Sequence, residues 1–103
     1  MVLPTLTPEQ RQEALQQAAL ARSVRAEIRR RLMHSEMSVK EVLERAHIDS
    51  IVGKIKVRTM LESLPSVKKR DTDKVLKEMK IAENRRLRGL GNLQMARLIE
   101  RFD

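Results

Sequence analysis

The chain has 103 residues, 22 Lys/Arg against 14 Asp/Glu for a formal charge of +8, no cysteine, and Phe102 as its single aromatic residue. Disulfides and thiolate metal sites are excluded, and no apolar run approaches the roughly 18 residues that cross a bilayer. With only three glycines and three prolines, there is little material for hairpins or linkers, so an all-α fold around one modest core of Leu, Ile, Val, Met and Ala is expected.

The opening Met1-Val2-Leu3-Pro4 has no basic stretch leading into an apolar run, so no leader peptide is expected. Thr7-Pro8-Glu9-Gln10 is a strong helix start. Thr7 can accept from an orphan N–H, Pro8 suits the first helical position, and Gln10 completes a capping box. No Gly or Pro interrupts the chain from there to about Met33, which predicts one helix roughly 38 Å long. Its first half offers only the weak stripe Ala14, Leu15, Ala18 and Ala19, which is expected to pack poorly. Its second half sets Val24, Ile28 and Leu32 four apart on one face. Arg22, Arg25, Arg29, Arg30 and Arg31 crowd the remaining surface, either to solubilise an exposed helix or to meet an anion. Residues 1–35 are therefore read as a helical arm and 36–103 as a compact core.

Ser38-Val39-Lys40-Glu41 is a second capping box, and Val39, Val42, Leu43 and Ala46 continue an amphipathic helix over 38–46. Asp49 or Ser50 can cap a further turn that breaks at Gly53. Val57, Met60, Leu61 and Leu64 predict a helix over about 55–64, ended by Pro65. Thr72, Val75, Leu76 and Met79 predict another over about 69–80. Asn92 is expected to cap the last, with Met95, Leu98, Ile99 and Phe102 facing inward.

Charge is unevenly distributed. Residues 1–52 hold eight Lys/Arg and seven Asp/Glu; residues 53–103 hold fourteen and seven. Clustered cations in one half are the electrostatic footprint of nucleic-acid binding, although an anionic membrane or an acidic protein would also be attracted. Three basic groups stand at predicted helix boundaries: Lys54, Lys56 and Arg58; Lys68, Lys69 and Arg70; Arg85, Arg86 and Arg88. The string Asn84-Arg85-Arg86-Leu87-Arg88-Gly89-Leu90-Gly91 is the most telling. Guanidinium forks suit phosphate oxygens, and Gly89 and Gly91 let the backbone turn sharply and approach another surface closely. At 64–69, a new helix would present free N–H groups and a partial positive charge to a phosphate.

Catalytic chemistry finds no support. His34 and His47 are not spaced as ligands, no serine has a His-Asp arrangement, and Gly89-Leu90-Gly91 lacks the preceding strand of a dinucleotide fingerprint. No enzyme activity, metal or cofactor is expected.

Gly53-Lys54-x-Lys56-Val57, Leu61-Glu62-Ser63-Leu64-Pro65-x-Val67-x-Lys69, Ile81-Ala82 and Arg85-Arg86-Leu87-Arg88-Gly89-Leu90-Gly91, in that order, resemble the actinobacterial (mycobacterial-type) integration host factor family. Leu3-Pro4 and Leu6-Thr7-x-Glu9-Gln10-Arg11 extend the resemblance over nearly the whole chain. It implies a long N-terminal helix before a helix-two-turns-helix core. It also implies a monomeric, cytoplasmic, nucleoid-associated protein that binds and bends double-stranded DNA with little sequence preference. A phage integrase or a topoisomerase would be its candidate protein partner. Carried over by position, the resemblance puts Ser66, Val67 and Lys69 in one DNA contact and Arg85, Arg86 and Arg88 in another. The family's turn glycine is Lys68 here. A left-handed turn at that position would strain a lysine, and Asp71 and Asp73 follow it with opposing charge, so Arg85 and Arg86 are weighted above Lys68. Structured-RNA or ribosome-associated binding is the rival expectation, and a helical adaptor using residues 8–33 against a partner protein is a third.

Overall fold

The computed structural model describes residues 5–103; the reading of Met1-Val2-Leu3-Pro4 falls outside them. Six α-helices follow one another among the described residues: α1 (Pro8–Met33), α2 (Val39–Ile48), α3 (Ser50–Gly53), α4 (Val57–Ser63), α5 (Thr72–Glu78) and α6 (Asn92–Phe102). Single 3₁₀ turns stand at Lys69–Asp71 and Leu87–Gly89. The radius of gyration is 15.9 Å, above the roughly 13 Å of a compact chain this long. The excess comes from α1. Its residues up to Leu20 are exposed, and Leu15 remains 60% accessible.

Both capping boxes form as read. Gln10 N–H donates to Thr7 Oγ1 at 3.1 Å while the Gln10 side chain accepts from Thr7 N–H at 3.0 Å. Glu41 and Ser38 make the same reciprocal pair. The second half of α1 enters the core through Ile28 and Leu32, with Val24 packed at its edge. Around them lie Val39, Val42 and Leu43 of α2, Val57, Met60 and Leu61 of α4, Val75 and Leu76 of α5, and Leu98 of α6. Two interactions at the end of the chain had no signal in the sequence. The Asp103 carboxylate accepts from Val39 N–H and Lys40 N–H, each at 2.9 Å, completing the cap of α2. Arg101 pairs with Glu78 at 2.6 Å, tying α6 to α5.

Several boundaries differ from expectation. The predicted helices 55–64 and 69–80 shorten to α4 and α5, because the chain turns at residues 54–55 into the bridge at Lys56 and spends 69–71 in a 3₁₀ turn. Asn92 is the first residue of α6 and not its cap. Gly91 takes the cap position, and its N–H is satisfied by Gln94 Oε1 at 3.0 Å. Two helices end in a left-handed residue that is not glycine. Ser35 and Lys80 adopt φ of 55° and 56°, and each closes a six-residue loop, Glu36 N–H to Arg31 O and Ile81 N–H to Leu76 O.

Gly53 acts through clearance. A Cβ built there would lie 2.7 Å from Ala46 O and 3.2 Å from Arg88 Cβ. The first of these is helix backbone and cannot move cheaply. Gly53→Ala is therefore expected to destabilise the fold by about 1–3 kcal/mol, read as a lower midpoint in chemical denaturation. Acid should act through the α5–α6 pair. The Arg101 hydrogen bond holds the Glu78 carboxyl below the usual carboxylate range. Such a group stabilises the fold above the unfolded value of about 4.3, and the gain is lost as pH falls through the lowered value. Glu78→Gln should melt below the parent protein at neutral pH. The gap should close progressively under acid conditions in thermal scans.

Candidate nucleic-acid interface

The first and third basic groups, some thirty positions apart in sequence, come together through backbone. Val57 N–H donates to Arg85 O and Leu87 N–H donates to Ile55 O, both at 2.9 Å, giving an isolated antiparallel bridge between Lys56 and Arg86. Alternation across this bridge sends Ile55, Val57 and Leu87 into the core and leaves Lys54, Lys56, Arg86 and Arg88 exposed. Arg85 is exposed beside them. Five exposed cations from two segments thus surround one bridge and form a cationic ledge around it.

The ledge is braced before any ligand arrives. Arg86 Nη1 donates to Lys54 O at 3.3 Å and Arg85 Nη1 to Gly89 O at 3.1 Å. Gly89 leaves room for this, since a Cβ there would lie 3.1 Å from Arg85 Cδ. No glycine among the described residues has positive φ. Gly89 and Gly91 therefore contribute clearance and a cap, in place of the sharp backbone turn expected of them.

The second basic group lies elsewhere. It hangs from the far end of α4, about 11 Å along the axis for seven residues at 1.5 Å each. Val67 N–H closes the turn onto Leu64 O at 3.1 Å, and Val67 packs against the core. Ser66, Lys68 and Lys69 are exposed. Their backbone N–H groups have no protein acceptor among the described residues. Lys68 sits at φ −77° and ψ 143°, ordinary extended backbone, so the strain expected of a lysine at this position is absent.

Arg58 departs from its sequence reading. Grouped there with Lys54 and Lys56, it is half-buried and meets three carboxylates: Asp73, Glu83 at 3.0 Å and Glu62 at 3.6 Å. The hydrogen bond with Asp73, reinforced by the charges of Glu83 and Glu62, raises its pKa above the ordinary arginine value. Asp73 is thereby paired within the fold, although the one guanidinium charge is shared among three carboxylates. A further cationic surface, left open by sequence, is a groove of about 360 Å³ where Arg22, Arg25 and Arg29 of α1 face Ile55 and Thr59. These three arginines have no carboxylate partner among the described residues, unlike Arg30, which pairs with Glu27 and Glu36.

Known proteins resemble this chain in sequence and in fold. The profile of the S13-like H2TH domain matches residues 32–102. The integration host factor of Mycolicibacterium smegmatis is 48% identical over 103 residues, covering 100% of this chain and 98% of that protein. The chain belongs to the actinobacterial integration host factor family. The Streptomyces coelicolor member is 47% identical over 102 residues, covering 99% of this chain and 95% of its own length. A member from Mycobacterium tuberculosis is 46% identical at similar coverage. Among solved structures, that of sIHF bound to an 8-base-pair palindromic DNA superposes with a TM-score of 0.82 at 42% identity, over 85% of this chain and 99% of that one. The helix-two-turns-helix core and the long first helix are thus family architecture, and the ledge is built on it.

Proposed function

We propose that this family member binds double-stranded DNA through its phosphates, with little sequence preference, and bends it. The observation that carries the reading is the backbone bridge between Lys56 and Arg86, which gathers Lys54, Lys56, Arg85, Arg86 and Arg88 onto one ledge. The relative whose structure contains DNA lends support at 42% identity. The turn residues Ser66, Val67, Lys68 and Lys69 supply a second contact, and the arginines of the α1 groove extend the surface. Gly89 contributes by leaving room for Arg85 against its backbone, and Gly91 by capping the helix that follows the arginine segment. Base readout has little place here, because the cations of the ledge and of the turn project from loops and helix ends and not from a helix laid in the major groove. Nucleoid association in the cytoplasm, a monomeric state and assistance to a phage integrase or a topoisomerase belong to the same proposal.

Affinity should then be governed by counterion release. If about six phosphates are neutralised, binding should weaken roughly 10³-fold between about 50 and 200 mM salt, at a slope near −0.9 per contact. Titrating two unrelated duplexes at both salt concentrations checks this. A flat salt response, or a strong preference for one sequence, overturns it. Competition with duplex RNA separates this reading from the RNA-binding alternative, since a surface matched to B-form DNA should prefer the DNA.

A further inference from the structure

We propose that Arg58 is a positioning residue that sets the spacing between the 64–69 turn and the 85–89 segment, so that two phosphate-contacting elements act as one surface. The inference rests on reading both elements as contacts with duplex DNA. Each element leaves α4 at a different end. The 85–87 backbone is bridged to 55–57 beside the start of the helix, whereas the turn follows its last residue. The chain between them runs through α5 and a further loop, so continuity of the backbone does not hold one against the other. Arg58, in the first turn of α4, adds a side-chain link between them to the one that α4 itself provides. One of its donors reaches Asp73, in the first turn of the helix that follows the turn, and also Glu83, two residues before Arg85. Glu62, one helical turn along α4, lies 3.6 Å from Nη1 and orients the guanidinium.

Two features favour positioning over general ion pairing. The Arg58 side chain is the least exposed of the group at 25%, and that of Glu62 is close to it at 28%, so this pair is partly sheltered from solvent. A planar fork with five donors can serve three carboxylates in fixed directions, which an ammonium on a flexible stem does poorly. The cluster also carries a net charge of −2 beside a surface read as binding a polyanion. Electrostatic attraction alone gives no reason for carboxylates there. Fixing the geometry does.

The decisive experiment sets those two effects against each other. Asp73→Asn combined with Glu83→Gln makes the protein more positive by two charges, so attraction alone predicts tighter DNA binding. Positioning predicts the opposite. Affinity for a short duplex should fall about tenfold, as for loss of one charge-assisted contact. The salt slope should become shallower by about 0.9. Thermal unfolding should change little, because Asp73 and Glu83 are largely exposed. Arg58→Lys, which keeps the charge and loses the fork, should move affinity and slope in the same direction. Tighter or equal binding, or an unchanged slope, in the Asn/Gln double variant overturns the proposal. Failure of the parent protein to bind any duplex would instead overturn the DNA reading on which it rests.

Discussion

Alanine at both Arg85 and Arg86 is expected to lower affinity for every duplex by roughly a hundredfold, since two charge-assisted contacts are each worth about 1.5 kcal/mol or more. The salt slope should become shallower by about 1.8 in the same titrations, two contacts at roughly 0.9 each. The loss should be uniform across sequences, because contacts to phosphate position the protein and carry no base information. Folding should survive. The bridge that places these residues uses the backbone groups of Ile55, Val57, Arg85 and Leu87, and alanine retains them. Only the side-chain bonds to Lys54 O and Gly89 O disappear, and both are exposed. An affinity within twofold of the parent protein would remove the pair from the interface and leave Lys54, Lys56 and Arg88 to account for binding.

Leu87→Ala should have the largest effect on stability. Leu87 sits between Arg86 and Arg88 with none of its surface accessible, and its N–H donates to Ile55 O. Emptying such a site costs about 2–5 kcal/mol, a large share of the roughly 5–15 kcal/mol that holds a small domain together. At roughly 4–8 °C per kcal/mol the midpoint should fall by about 8 °C or more. Leu93→Ala is the natural comparison. That side chain is 64% exposed, and its loss should shift stability by no more than about 0.5 kcal/mol. DNA binding should respond to the first substitution and not the second, because Leu87 anchors the ledge from below. Equal melting of the two variants would mean that the core does not hold the arginine segment.

The helices were legible where their signals are local. Thr7 and Ser38 cap as their capping boxes require, and Val24, Ile28 and Leu32 face inward at four-residue spacing. Local signals misled where a longer contact competes. Asn92 is a good cap by residue type, yet Gln94 satisfies Gly91 N–H and also reaches Lys80 O, moving the helix start by one position. Lys80 and Ser35 end their helices in the left-handed region without the glycine that usually announces such a stop. Lys68 was suspected of strain by comparison with a family glycine, but its backbone is extended and imposes none.

What the order of residues determined by itself was the all-helical class, the single aliphatic core and the loading of positive charge onto residues 53–103. Periodicity, capping and charge are properties of neighbours along the chain, so a sequence displays them directly. Which cations share a face was decided only by tertiary structure. Lys54 and Lys56 meet Arg85, Arg86 and Arg88 because two backbone hydrogen bonds close a gap of about thirty residues. Arg58, their near neighbour in sequence, is engaged by three carboxylates drawn from α4, α5 and the loop that follows. Distances between remote segments determine whether a charge is offered to a ligand or engaged within the fold, and those distances exist only once the core has closed.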